Sequence, residues 1–95
     1  MKIIAVAHRS EDHAPEDFAP HLEAESAQSL KLFAAETLRE IYSRADGKGA
    51  VMVLEAEDED AARDIVATLP MAKLGLLRFD IYGTKPYRGF VAGVG

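Results

Sequence analysis

The 95-residue chain contains neither cysteine nor tryptophan. Without cysteine, disulfides, thiolate nucleophiles and cysteine-ligated metal centres are all excluded. Positive charge is in deficit: eleven Lys and Arg against sixteen Asp and Glu give a formal net charge of -5. A chain of that sign repels phosphate backbones and anionic lipid headgroups, so nucleic acid and membrane surfaces are not expected partners. Long apolar runs are missing too. The N-terminal MKIIAVAHRSED holds only the short run Ile3 to Ala7 before His8. That run is too short for the apolar part of a signal peptide and far too short to cross a bilayer, so a cytoplasmic location is expected. There is no G-x-x-x-x-G-K loop, no glycine-rich strand-to-helix turn and no serine-nucleophile elbow. Nucleotide and acyl-transfer chemistry are set aside on that ground.

What is present fits one domain over residues 1–95, near the short end of the usual range. Its clearest stretch is Gly49 to Pro70. A run with two valines, Ala50 to Ala56, apolar apart from Glu55, gives way to the acidic Glu57-Asp58-Glu59-Asp60. Apolar residues then recur at helical spacing: Ala61, Ala62, Ile65, Val66, Leu69. The spacing predicts a strand running into a helix that Pro70 stops. The acidic run lacks the glycine and spaced oxygens of a calcium loop. Its simplest role is to place negative charge at the positive end of the helix dipole.

The remaining elements follow in order. Lys2 to His8 reads as a strand apolar on both faces, with Ile3, Ala5 and Ala7 on one and Ile4, Val6 and His8 on the other. Arg9 to Asp17 is a polar loop. A single helix is expected from about Asp17, its N-cap, to Ala35, its core face being the stripe Phe18, Leu22, Ser26, Leu30 and Phe33. Thr37 to Ala45 and Leu76 to Gly83 are strands carrying charge, joined to the rest by a two-glycine turn at Asp46 to Gly49 and a loop at Met71 to Gly75. The tail from about Thr84 should be extended, or disordered at its end.

The order β-α-β-β-α-β predicts an α+β, ferredoxin-like fold with sheet order 4-1-3-2. The two most apolar strands then fall in the centre and the charged ones at the edges, where charge blocks edge-to-edge association. Two helices cover only one face of such a sheet. Apolar side chains on the other face of the central strands predict a homodimer formed through the sheets.

Leu69-Pro70, followed by Met71 and then the strand Leu77 to Tyr82, resembles the muconolactone isomerase family of the dimeric α+β barrel superfamily. The resemblance covers most of the chain by element order. It implies a small homo-oligomer with a pocket for a cyclic organic acid or lactone and no metal or organic cofactor. The tail Lys85-Pro86-Tyr87-Arg88-Gly89-Phe90 departs from the family's ending.

Proton transfer beside a carbonyl needs a base and a donor for the developing enolate oxygen. The candidates are His8 at the end of the first strand, His21 in the helix with Glu25 in reach, and Tyr42 as donor. Arg39 or Arg78 would hold a substrate carboxylate. Plainer readings stand beside these. His21 and His13 fit solvated surface positions, and Arg78, Asp80 and Tyr82 fit a polar stripe at a sheet edge. The three histidines are scattered, with no i, i+4 pair, so no metal site is expected. Two functions follow: a cofactor-independent isomerase acting on a small carboxylated or lactone ring, or a non-catalytic oligomeric module that binds such a ligand.

Overall fold

A computed structural model describes residues 1–90 of the chain. Strand β1 (Lys2–Arg9) is followed by a short helix α1 (Pro15–Phe18), a 3-10 turn (Ala19–His21) and helix α2 (Leu22–Ala34). Strands β2 (Leu38–Ser43) and β3 (Gly49–Glu55) form a hairpin. Helices α3 (Glu59–Val66) and α4 (Pro70–Lys73) lead to strand β4 (Leu77–Gly83). The sheet is antiparallel in the order β2-β3-β1-β4, which is the expected 4-1-3-2 read from the other edge.

Period-two alternation assigns the two faces of the sheet. Ile3, Ala5 and Ala7 pair with Leu54, Met52 and Ala50, and all but Ala50 are buried. Leu38 from the edge strand, Ala62 and Val66 from α3, and Leu69 close this core. On the opposite face, Ile4, Val6, Val51 and Val53 are half-buried and no element among the described residues covers them. Gly49 allows β1 and β3 to approach at the hairpin: its φ is +149°, and a Cβ there would lie 1.9 Å from the Ala7 carbonyl oxygen.

Two helix expectations are revised. The single helix from Asp17 to Ala35 is interrupted, because Pro20 has no N–H to continue the ladder. Ala14, with Pro15 behind it at the first helical position, caps α1, and the Asp17 carboxylate accepts the Ala14 N–H at 2.8 Å. The stripe of α2 does not pack into the core: Leu22, Leu30 and Phe33 are 57%, 68% and 56% exposed. The helix is held by its other flank, where Leu32 touches the core and Gln28 donates to the Thr68 hydroxyl.

The helix expected to run up to Pro70 ends earlier, at Val66, and Pro70 instead begins the next helix. It stands at the first position of α4, where a missing N–H costs nothing. Asp58 caps α3, its carboxylate accepting the Ala61 N–H at 2.8 Å, and Glu59 and Asp60 fill the first turn. Beyond β4, Thr84 is tied to the Lys2 carbonyl and Tyr87 stacks edge-on against Phe90. The expected disorder at the end of the tail lies outside the described residues.

Candidate functional site

The way α2 sits creates the site. Its apolar stripe stands off the helix-bearing face of the sheet and leaves a cavity of about 690 Å³ between them. Leu22, Leu30 and Phe33 form one wall, and Leu38, Met52 and Phe79 form the other. The opening runs past exposed Leu22, Leu30, Phe33 and Ile41. The lining is mostly apolar, broken by the hydroxyls of Ser26, Ser29 and Ser43, the carboxyl of Glu25, and the guanidinium groups of Arg9 and Arg44.

Glu25 lies on the flank of the α2 stripe, three residues after Leu22 and four before Ser29. Its carboxylate accepts the Met71 N–H at 2.9 Å, one of the N–H groups left unsatisfied at the start of α4. Burial pushes its pKa above the ordinary value of 4.5, and the bond from Met71 opposes part of that rise. A carboxyl that holds its proton more firmly, in an apolar cavity, is a group suited to giving and taking protons.

A second, polar cleft of about 780 Å³ adjoins the first at the sheet end. It is lined by His8, His13, Lys48 and Arg78 together with the loop carboxylates Glu11 and Asp12. His8 here is fully engaged. Its Nε2 meets the Asp80 carboxylate at 2.8 Å, and Arg44 donates to Nδ1 at 2.9 Å. With Arg44 donating to Nδ1, the tautomer that fits both contacts carries its proton on Nε2 and donates to Asp80. The bond from His8, reinforced by Arg78 at 2.7 Å, holds the Asp80 carboxyl below the usual range. Arg44 is itself braced by Asp46 at 2.6 Å.

Of the candidates from the sequence, His8 and Arg78 come together in the polar cleft. Tyr42 lies on the uncovered sheet face opposite Val51, donating to Glu40 at 2.7 Å, a bond that raises its pKa. Arg39 occupies the irregularity between Leu38 and Glu40 on the edge strand and lends charge to Glu55. His21 is half-buried at the junction of the 3-10 turn and α2. Tyr42, Arg39 and His21 line neither cavity. Among the described residues no group of three His, Asp or Glu could hold a metal ion. Glu25 and Arg44 were missed as site residues because nothing local marks them; the carboxylate flanking an apolar stripe was the one available signal.

Solved structures that share this architecture include the following two. One is 5-chloro-2-hydroxyhydroquinone dehydrochlorinase from Burkholderia phenoliruptrix AC1100, solved in complex with 2,5-dihydroxybenzoquinone. It superposes with a TM-score of 0.75 over 94% of this chain and 98% of its own, at 17% identity. The other is muconolactone isomerase, with a TM-score of 0.72 over 92% of this chain and 91% of its own, at 16% identity. The chain has the muconolactone isomerase fold. The likeness extends over the whole β-α-β-β-α-β core, so the cavity is built on a scaffold common to all three proteins. No family model and no curated protein matches the chain by sequence.

Proposed function

We propose that this chain is a cofactor-independent enzyme that moves a proton on a small carboxylated or lactone ring. The observation that carries the reading is a carboxyl of raised pKa, Glu25, in the wall of a mostly apolar cavity of ring-accommodating size. Glu25 takes the proton from a carbon next to a carbonyl or its vinylogue and returns it to another carbon of the same enolate. The reaction is an isomerisation that consumes no co-reactant. The serine hydroxyls of the cavity supply donors for the enolate oxygen. Both similar structures are of enzymes that, by name, act on small organic molecules, which agrees with such a use of the fold.

His8, one of the two bases expected from the sequence beside His21, suits this role less, since Asp80 and Arg44 occupy both its nitrogens. We also propose the homodimer through the uncovered sheet face. There Ile4, Val6, Val51 and Val53 form an apolar centre, and Tyr42 and Tyr82 lie at its edges. One observation favours the alternative of a non-catalytic binding module: the Glu25 carboxylate also caps α4, so structure alone accounts for its presence.

A thermal-shift screen of unsaturated lactones and aromatic acids, followed by NMR of each stabilising compound in D2O, separates the two. An enzyme exchanges ring C–H protons with solvent, and Glu25→Gln, which keeps an acceptor for Met71, binds the compound but slows exchange by about 10²-fold or more. Binding without exchange in the wild type leaves the binding module. The absence of any stabilising compound removes both readings.

A further inference from the structure

We infer that Arg9 and Arg44 form a carboxylate subsite at the junction of the two cavities, and that His8 is a positioning residue that holds Arg44 for this purpose. The inference rests on the ring site proposed above and assigns the orientation of its ligand: ring among the apolar walls, carboxylate towards the polar cleft.

Five residues line both cavities: Arg9, Pro15, Phe18, Arg44 and Gly47. The two arginines are the only polar side chains among them, so a ligand that spans the boundary meets guanidinium groups there and nothing else polar. The Arg9 guanidinium lies 4.0 Å above the centre of the Phe18 ring. Stacking of this kind uses the face of the ion and leaves its N–H edge available. Arg9 forms no ion pair among the described residues. It is therefore an oriented cation with its own anion missing, on a chain whose formal charge is -5.

Arg44 is organised differently. Its Nη1 donates to His8 Nδ1 at 2.9 Å and to the Ala7 carbonyl at 3.4 Å, and its Nη2 donates to Asp46 at 2.6 Å. Those bonds engage three of the five guanidinium N–H groups and leave two for a ligand. They also fix the rotamer beforehand, so little side-chain entropy is lost when a carboxylate binds. Around the junction, Lys48 and Arg78 balance Glu11 and Asp12, and Asp46 and Asp80 pair with Arg44 and Arg78, which leaves Arg9 as the junction's cation without an ion pair among the described residues. His8 acts through Arg44, and Asp80 in turn anchors His8.

Benzoate and methyl benzoate test the subsite, since they share a ring and differ in charge. Their affinities are measured by NMR titration on the whole chain, with shifts mapped to the cavity. The expected result is that benzoate binds at least about tenfold more tightly than its ester. Arg9→Met keeps the apolar stem over Phe18 but removes the charge, and His8→Ala frees Arg44. Each should reduce the ratio of the two affinities severalfold while leaving the ester's affinity unchanged, whereas Arg63→Ala on α3 should leave the ratio as it was. A merely structural defect would weaken both probes alike, and that outcome in His8→Ala overturns its positioning role. Equal affinities in the wild type, or a ratio that survives Arg9→Met, overturn the subsite while the ring site stands. If neither probe shifts the cavity resonances, the ring site falls as well.

Discussion

Glu25 occupies surroundings that oppose its own ionisation. Packed between α2 and the start of α4, it is desolvated enough that burial outweighs the one N–H bond it accepts. The consequence for stability follows from proton counting. With the folded pKa above the unfolded one, the native state binds more protons in the interval between them, so stability falls as pH rises through it. The penalty is fully present at neutral pH and disappears below the ordinary value of 4.5. Glu25→Gln keeps a carbonyl acceptor for Met71 and has no charge to desolvate. Its melting temperature relative to wild type should therefore improve as pH is raised from below 4.5 to neutral, as scanning calorimetry at successive pH values would show. A constant difference would mean that the carboxyl is not desolvated in the folded chain. None of this was legible locally. In sequence, Glu25 is one of several acidic residues on a helix, and only its contact with a backbone N–H 46 residues away distinguishes it.

At the scale of the element, two positions carry unequal weight. Asp58 caps α3 through the Ala61 N–H, and replacing an N-cap aspartate by alanine costs about 1 kcal/mol. At Gly49, a side chain would meet the carbonyl of Ala7 inside the β1–β3 ladder, on a backbone of positive φ that L-residues rarely adopt. Neither strand can move aside without breaking ladder bonds, so Gly49→Ala should cost on the order of 3 kcal/mol or more. Urea unfolding of the two variants checks the ranking, which would be wrong if Asp58→Ala proved the more damaging. Both positions were visible as punctuation: an acidic start before a helical period, and glycines in a hairpin turn. The interruption of the first helix was only half visible. With the helical segment starting after Ala14 rather than at Asp17, Pro20 falls in its middle instead of its first turn.

At the scale of the molecule, the decisive feature is the asymmetry of the sheet. One face is closed by α3 and Leu69, while α2 stands away from it and leaves room for a ligand. The other face presents Ile4, Val6, Val51 and Val53 without cover. If two such faces pack together, light scattering at micromolar concentration gives a mass of two chains or a multiple of that. Val51→Asp then places an unpaired charge in the seam and yields single chains. A wild-type mass of one chain would exclude the sheet-paired dimer. The ligand cavity, on the far side of the sheet, should bind its probes in the single-chain variant too.

Strand order, the two-faced character of β1 and β3, and the acidic start of α3 were determined by the sequence alone. Each depends on residues whose spacing along the chain matches a strand or helix period, and that periodicity is a local property. The site was not. Arg9, Glu25 and Arg44 belong to three separate segments, and their chemistry arises only where α2 is lifted from the sheet and the strand ends meet the loop after β1. The stripe of Leu22, Leu30 and Phe33 shows the limit well. Its spacing specifies a helix with an apolar face, but whether that face meets a core or a cavity depends on how the helix is docked. Docking is set by Leu32, Gln28 and Glu25 on the helix's other flank, through partners distant in the chain.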